Sequence, residues 1–78
     1  MPKELLAPLP GVFYRKPAPD KPAYKSEGDI VAAGDVVGLI EVMKSFIEVQ
    51  AEASGKIVRF AVGDEEPIMA GQVLLEIE

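Results

Sequence analysis

The sequence predicts an all-β fold, a sandwich or flattened barrel of short strands joined by tight turns. Seven Gly and seven Pro occur in 78 residues, a content typical of turn-rich chains. The apolar runs are short and mostly alternate with polar residues, which is the period of a strand with one buried face. The chain also contains two copies of one strand-turn-strand unit. Such a duplication predicts a quasi-twofold arrangement in which each half covers the apolar face of the other.

The repeat is visible when residues 54–64 (SGKIVRFAVGD) are written under residues 10–15 (PGVFYR) and 27–29 (EGD). Further along, residues 33–41 (AGDVVGLIE) match residues 70–78 (AGQVLLEIE). The aligned pairs are Gly11 with Gly55, Phe13 with Ile57, Arg15 with Arg59, Gly28-Asp29 with Gly63-Asp64, Ala33 with Ala70, Gly34 with Gly71, Val36 with Val73, and Ile40 with Ile77. Of these glycines, Gly28, Gly34, Gly63 and Gly71 are expected to supply positive φ or tight bends where the strands turn.

Two segments alternate clearly enough to predict which side chains are buried. The residues expected to face the core are Ile47, Val49 and Ala51 in segment 46–52, and Val73, Leu75 and Ile77 in segment 72–78. The polar residues between them are expected to face solvent.

The first copy carries an insertion. The interval from Gly11 to Gly28 is nine residues longer than the interval from Gly55 to Gly63, and the excess falls on residues 16–23 (KPAPDKPA). Because proline fixes φ and removes a backbone donor, three prolines in this segment exclude a central strand. We therefore predict a stiff protruding loop.

The second copy has a smaller irregularity. Its interval from Gly63 to Gly71 is two residues longer than the matching interval from Gly28 to Gly34, and Pro67 lies in the excess. The sequence alone suggests no function for it.

Composition limits the functional classes. The chain has no Cys and no His, so it lacks a thiolate nucleophile, a disulfide framework, and the usual general base and metal ligand. We therefore expect one small domain, residues 1–78, that is not an enzyme by itself and binds no metal.

Charge and hydropathy limit the partners and the location. Thirteen acidic against eight basic residues give a net charge of −5, which disfavours nucleic acid and anionic membrane surfaces as partners. No apolar run approaches the ~20 residues of a membrane span, and the first four residues, MPKE, are unlike a signal peptide. We expect a cytoplasmic protein.

Met43 and Lys44 lie where the chain must reverse between two strands. A two-residue hairpin turn usually needs positive φ at its central positions, which Asn-Gly or Asp-Gly supply at low cost. Met and Lys each lose on the order of 1 kcal/mol there. Residues that violate local preferences cluster at functional sites, so we interpret Lys44 as an amine held out for modification. A second enzyme would have to perform it, because the chain offers no His or Cys to take the proton of the ammonium group.

These segments resemble the biotinyl domain of biotin carboxyl carrier proteins of the acetyl-CoA carboxylase type, within the biotin/lipoyl attachment family. The resemblance runs from residues 8–29 through residues 39–55 to residues 70–78. The family's attachment signature is Glu-Ala-Met-Lys-Met, and here it reads Glu41-Val42-Met43-Lys44-Ser45, with Val and Ser at the second and fifth positions.

The resemblance implies a fold, a cofactor and a set of partners. The fold is a flattened antiparallel barrel-sandwich of two four-stranded sheets with quasi-twofold symmetry and one protruding thumb loop, here at about residues 16–23. The cofactor is biotin, joined by an amide to the ε-amine of Lys44. The partners are a biotin protein ligase, a biotin carboxylase that loads a carboxyl group with ATP and bicarbonate, and a carboxyltransferase that passes it to an acyl-CoA. The domain itself would be a monomeric, non-catalytic carrier, in acetyl-CoA carboxylase and hence in fatty acid synthesis.

The site residues implied by the resemblance fall into two groups. The first group, expected to be recognised by the ligase around Lys44, consists of Glu41, Val42, Met43 and Ser45. The second group, the thumb residues expected to approach biotin, consists of Lys16, Pro17, Ala18, Pro19 and Asp20.

Three other interpretations stay open. A lipoyl domain shares the repeated barrel and the tip lysine, but resembles Asp-Lys-Ala at the tip and lacks a thumb. A biotin carrier of another carboxylase would act on urea or on a different acyl-CoA. A barrel used only as an interaction module would leave Lys44 as an ordinary surface residue.

Overall fold

The alternating segments form eight short strands, in a computed structural model that describes residues 3–78. The strands are β1 (Lys3–Leu6), β2 (Gly11–Tyr14), β3 (Ile30–Val31), β4 (Val36–Val42), β5 (Ser45–Gln50), β6 (Gly55–Phe60), β7 (Glu66–Ile68) and β8 (Val73–Ile77). They make two four-stranded antiparallel sheets, in the orders β1-β8-β6-β3 and β5-β4-β2-β7. The predicted fold class is confirmed. Within residues 3–78, no helix offers the length and apolarity that a membrane span needs.

The sheet orders show the quasi-twofold symmetry directly. Exchanging β1 with β5, β2 with β6, β3 with β7 and β4 with β8 converts one sheet order into the other. Each half also provides both edge strands of the sheet whose central strands come from the other half, because β1 and β3 flank β8 and β6, and β5 and β7 flank β4 and β2. The two copies therefore cannot separate without breaking both sheets.

The core lies between the sheets and draws on both copies. Its largest fully buried side chains are Phe13, Ile40, Ile57, Leu74, Leu75, Val31 and Val37. Among the residues that the structure describes, no polar or charged residue is buried. Each large apolar side chain contributes about 1.5–3 kcal/mol by its burial.

Equivalent bulges lie in β4 and β8. The strand pairing skips Val37 opposite β5 and Leu74 opposite β1, and both side chains are fully buried. A bulge interrupts the alternation of faces. Leu75 and Ile77 are buried as predicted, but Leu74 joins them in the core, and Val73, predicted to face the core, is only half-buried.

Strand β5 departs from its predicted pattern at one end. Val49 and Ala51 are buried as predicted, but the Ile47 side chain is 38% exposed. The prediction for Ile47 is wrong because the β4–β5 hairpin extends beyond the core at this end, where Phe46 is also exposed.

The structure aligns the two copies differently from the sequence. In the first copy, the Ser26 N–H donates to Asp29 Oδ2 (2.8 Å), and the Asp29 N–H donates to the Ser26 carbonyl oxygen (3.0 Å). In the second copy, the Gly63 N–H donates to Glu66 Oε1 (3.1 Å). An acidic side chain thus caps the same kind of turn in each copy, so the counterpart of Asp29 is Glu66 rather than Asp64.

Backbone conformation supports this shift of two residues. Gly28 has φ 92° and Glu65 has φ 59°, whereas Gly63 is not at positive φ. The sequence alignment failed because a Glu at a left-handed position is unfavourable and gives no turn signal, whereas Gly does. With Glu65 as the counterpart of Gly28, the interval to Gly71 equals that from Gly28 to Gly34. The irregularity disappears, and the insertion in the first copy is seven residues rather than nine.

Gly38 provides a test of the packing between β4 and β2. A Cβ at this position would lie 2.6 Å from two atoms of the Phe13 ring and 2.8 Å from the Tyr14 carbonyl oxygen. Because Phe13 is fully buried, the ring cannot move aside. We expect Gly38→Ala to lower the free energy of unfolding by about 3 kcal/mol, measured by denaturant titration followed by circular dichroism. Gly63→Ala is the control, since its nearest neighbour is a side-chain atom at 3.4 Å; equal losses for the two variants would contradict this packing.

Candidate functional site

The tip of the β4–β5 hairpin is a two-residue turn at Met43 and Lys44. Val42 pairs with Ser45 across it, and the two central residues have φ 49° and 69°. Positive φ at both positions is the type I′ conformation, whose twist matches that of the flanking strands. The predicted strained turn is confirmed.

Lys44 projects from the body of the domain. Its side chain is exposed, and the neighbouring Met43 side chain is 93% exposed. Neither of the two ion pairs formed within residues 3–78 involves Lys44. The amine is therefore accessible to a second protein.

Contacts among Tyr14, Glu41 and Phe46 connect the hairpin, just behind its turn, to the adjacent strand β2. The Tyr14 hydroxyl donates to Glu41 Oε1 at 2.9 Å. The Tyr14 ring packs against the Phe46 ring, with 5.8 Å between centroids and 58° between planes, a tilted arrangement that aromatic pairs favour. Glu41, which the resemblance implies as a ligase contact, therefore also braces the hairpin that presents Lys44.

Tyr14 lies in negative surroundings. Its hydrogen bond to Glu41 raises the pKa of the phenol above 10.0, and burial and the charges of Glu41, Glu65 and Asp64 raise this pKa further. The phenol therefore keeps its proton, and with it the hydrogen bond, throughout the neutral pH range.

A pocket of about 370 Å³ lies between the Pro-rich loop and the hairpin. Its lining residues are Tyr14, Lys16, Pro17, Ala18, Pro19, Phe46, Asp64 and Glu65. Four of the five thumb residues predicted from the resemblance are therefore brought together here, whereas Asp20 and residues 41–45 do not line the pocket. Phe46 lies two residues beyond Lys44, about 7 Å along an extended strand.

The Pro-rich segment forms a loop without strand pairing, as predicted. At its base, the Tyr24 N–H donates to the Arg15 carbonyl oxygen at 2.9 Å. At its outer end, the Lys21 N–H donates to the Ala18 carbonyl oxygen at 3.1 Å, which closes a turn that contains Asp20. Backbone hydrogen bonds thus hold the loop together at its base and at its outer end, and the loop forms part of the pocket lining.

Sequence reasoning missed half of the pocket. Phe46 could have been found, because it is an aromatic residue on the face of segment 46–52 that also carries Glu48 and Gln50. Asp64 and Glu65 could not have been found from the sequence, since the alignment of the two copies was shifted at that point.

The two ends of the described chain lie far from the tip. Strand β5 leads away from Ser45 to Gln50, and the next strand begins beside the last residue, where Lys56 and Glu78 exchange two backbone hydrogen bonds of 3.0 and 2.8 Å. Lys3 pairs with Ile77 at the same end. The exposed amine and the chain ends therefore lie at opposite ends of β5.

Comparisons with known proteins agree with this geometry. A family model described as "Biotin-requiring enzyme" matches residues 3–77. The biotin carboxyl carrier protein of acetyl-CoA carboxylase from Chlamydia pneumoniae is 38% identical over 71 residues, which are 91% of this chain and 42% of that protein. The chain spans less than half the length of the curated relatives it matches.

Two solved structures share the fold. The urea carboxylase of Kluyveromyces lactis superposes with a TM-score of 0.80 at 29% identity, covering 100% of this chain and 6% of that one. A single-chain, multi-domain long-chain acyl-CoA carboxylase superposes with a TM-score of 0.78 at 27% identity, covering 96% of this chain and 7% of that one.

The strain of the tip is testable by relieving it. Asn tolerates positive φ better than Met, so we expect Met43→Asn to stabilise the domain by about 1 kcal/mol. For a domain of this size, the melting temperature would rise by about 4–8 °C. Ser45→Asn, just outside the turn, is the control and should bring no gain. A melting temperature that is unchanged by Met43→Asn would show that the turn is not strained.

The environment of Tyr14 is testable by titration in a Tyr24→Phe background, where Tyr14 is the remaining tyrosine. We expect a tyrosinate absorbance midpoint above 10.0, and Glu41→Gln should lower it, whereas Glu48→Gln should not. Because the pKa is raised in the folded state, the stabilisation is fully present below the unfolded pKa and is lost as the pH rises through the folded pKa. A midpoint that is insensitive to Glu41→Gln would contradict the Tyr14–Glu41 contact.

Proposed function

The chain belongs to the biotin/lipoyl attachment family, and we propose that it is a domain that carries biotin on Lys44. The observation that carries this proposal is the exposed amine of Lys44 at a strained two-residue turn. A lysine that is modified by another enzyme has to be enclosed by that enzyme, which a projecting hairpin allows. Residues 1–78 would form one biotinyl domain.

The pocket beside the hairpin fits biotin in its chemistry. Biotin joins an apolar thioether ring to a polar ureido ring. The pocket offers apolar walls from Pro17, Pro19 and Phe46, and polar groups from Lys16 and Asp64. Its volume of about 370 Å³ falls in the range of small-molecule sites. We propose that the thumb, residues 16–23, is a resting place for the ring of the attached biotin.

Once attached, biotin supplies a ureido nitrogen that takes up and gives up a carboxyl group, and the chemistry belongs to the cofactor and the partners. We propose that the chain carries this carboxyl group between a biotin carboxylase and a carboxyltransferase without being catalytic itself. Tethering raises the local concentration of the carried group at two separate sites, so two diffusive encounters become intramolecular ones. The position of the chain ends, at the end of β5 away from Lys44, suits this role because attachment to a larger assembly would leave the tip unobstructed.

Recognition by a biotin protein ligase would depend mainly on Met43 and Ser45, whose side chains are exposed beside Lys44. Val42 is half-buried, and Glu41 is held by Tyr14, so these two are less available for contact. The carrier would act as a monomeric domain in the cytoplasm, where a protein without Cys has no need of an oxidising compartment.

The acceptor of the carboxyl group distinguishes two versions of this proposal. The relative from Chlamydia pneumoniae is named for acetyl-CoA carboxylase, which supports a role in fatty acid synthesis. The similarity to urea carboxylase supports a carrier domain of a different carboxylase. The pocket-forming thumb supports either of them over a lipoyl domain.

Intact-mass measurement after incubation with a biotin protein ligase, ATP and biotin tests the attachment site. We expect a single biotin-sized mass increment, which Lys44→Arg abolishes because the guanidinium is a poor acyl acceptor. Lys21→Arg, a matched change on the thumb, should leave the increment intact. A lipoyl-sized increment in cells that contain both ligases, an unmodified chain, or an increment that survives Lys44→Arg would each reject the proposal.

A further inference from the structure

Arg15 lies at the start of the thumb and joins its base to both sheets. Its carbonyl oxygen accepts the Tyr24 N–H (2.9 Å), and its Nη2 donates to the Lys25 carbonyl oxygen (3.4 Å). Its guanidinium lies 4.0 Å from the centroid of the Phe60 ring on β6, a cation–π contact. Because Arg15 follows β2 and Phe60 belongs to the other sheet, this contact fixes the thumb to the body as a whole.

The same residue also holds a second segment of the pocket lining, Asp64 and Glu65. The backbone N–H of Arg15 donates to Asp64 Oδ1 at 2.7 Å, and the two residues are 49 positions apart in the chain. Asp64 and Glu65 line the pocket together with the thumb. Glu65 has φ 59°, an unfavourable conformation for Glu that persists only where the surroundings hold it. The thumb and the Asp64-Glu65 segment, two of the segments that line the pocket, are therefore attached to one residue.

Arg15 is not explained by packing alone. Its Nε is buried and, among the described residues, has no hydrogen-bond partner, which is unfavourable. An apolar residue could cover the Phe60 ring without that cost. What an apolar residue could not provide is the combination of a planar cation over Phe60 and an Nη donor to the thumb base.

We propose that Arg15 and Asp64 form a clamp that sets the separation between the thumb and the Asp64-Glu65 segment, so that the pocket holds the ring carried by Lys44 only while the clamp is intact. This inference rests on the proposed function, because it concerns the resting place of the attached biotin. Arg15 and Asp64 are positioning residues for the carried group. Phe60 supports the clamp from outside the pocket.

The clamp can first be tested on the unmodified 78-residue chain, by amide hydrogen exchange measured with NMR. We expect Asp64→Ala to speed exchange of the Arg15 and Tyr24 amides about tenfold, the effect of losing one hydrogen bond. Asp64→Asn should restore slow exchange, since the amide oxygen still accepts. Glu65→Ala is the matched control, because it removes the neighbouring pocket carboxylate but no bond to Arg15.

The role toward the carried ring is tested on the chain biotinylated at Lys44. Biotinylation should shift the aromatic proton signals of Tyr14 and Phe46, both of which line the pocket. We expect Asp64→Ala and Phe60→Leu each to lower the ratio of pocket-bound to solvent-exposed biotin ring about tenfold. Most of the shift should then disappear. Phe60→Leu is informative because Phe60 does not line the pocket, so a loss there cannot come from a missing contact to biotin.

Each outcome decides between the alternatives. Equal exchange rates in Asp64→Ala and Glu65→Ala would overturn the clamp. Faster thumb exchange with unchanged shifts at Tyr14 and Phe46 would overturn its role toward the ring and leave a structural brace. If Lys44 takes up no biotin, the proposed function fails and the role toward the ring fails with it, whereas the exchange comparison still decides whether the clamp exists.

Discussion

The exchange of edge strands between the two copies, β1 and β3 for β5 and β7, is the constraint on which the rest of the structure depends. Each copy of the repeat is too small to bury its own apolar face, and each provides both edge strands of the sheet whose central strands come from the other copy. The fully buried side chains, such as Phe13 from the first copy and Ile57 from the second, come from both copies. Neither copy can therefore complete a sheet or the core without the other. The shared core supports the β4–β5 hairpin, which extends beyond it.

The functional features lie where the two copies differ. The counterpart of the β4–β5 hairpin in the second copy is the pair β8 and β1, which are antiparallel neighbours but are not joined by a turn within residues 3–78. The counterpart of the thumb is a short turn that ends at Glu65. Symmetry thus supplies the scaffold twice, and the first copy adds a closed tip and a seven-residue insertion. The pocket is lined by this insertion, by Tyr14 and Phe46, and by Asp64 and Glu65 of the second copy's short turn, so it requires both halves.

The sequence allowed the prediction of those features that follow from local rules. Period-2 alternation identified the buried Val49 and Ala51, and the absence of turn residues at Met43 and Lys44 identified the tip. Features that depend on which strands pair with each other could not be predicted from the sequence. The bulge that buries Leu74 is defined by how β8 pairs with β1.

The candidate site divides in the same way. Lys44 and the Pro-rich loop are visible as local departures from composition and turn preference. The contribution of Asp64 and Glu65 to the pocket could not be predicted, because the left-handed conformation of Glu65 contradicts the local preference by which turns are recognised. Arg15 was aligned with Arg59 as a repeat position, and its contacts with Asp64 and Phe60 arise only from the packing of the two copies.

The strained turn at Met43 and Lys44 is stabilised by contacts made just behind it. Two residues at positive φ lose on the order of 1 kcal/mol each, and a two-residue turn that is exposed on all sides gains nothing from burial in return. The compensation lies just behind the turn, where Glu41 accepts from Tyr14 and Phe46 packs on the same ring. These contacts fix the strands on both sides of the turn, so that fraying at the tip would have to break them first. A Gly in place of Met43 would remove strain but would also remove the exposed side chain that stands beside the amine. The domain therefore keeps an unfavourable turn and stabilises it from below.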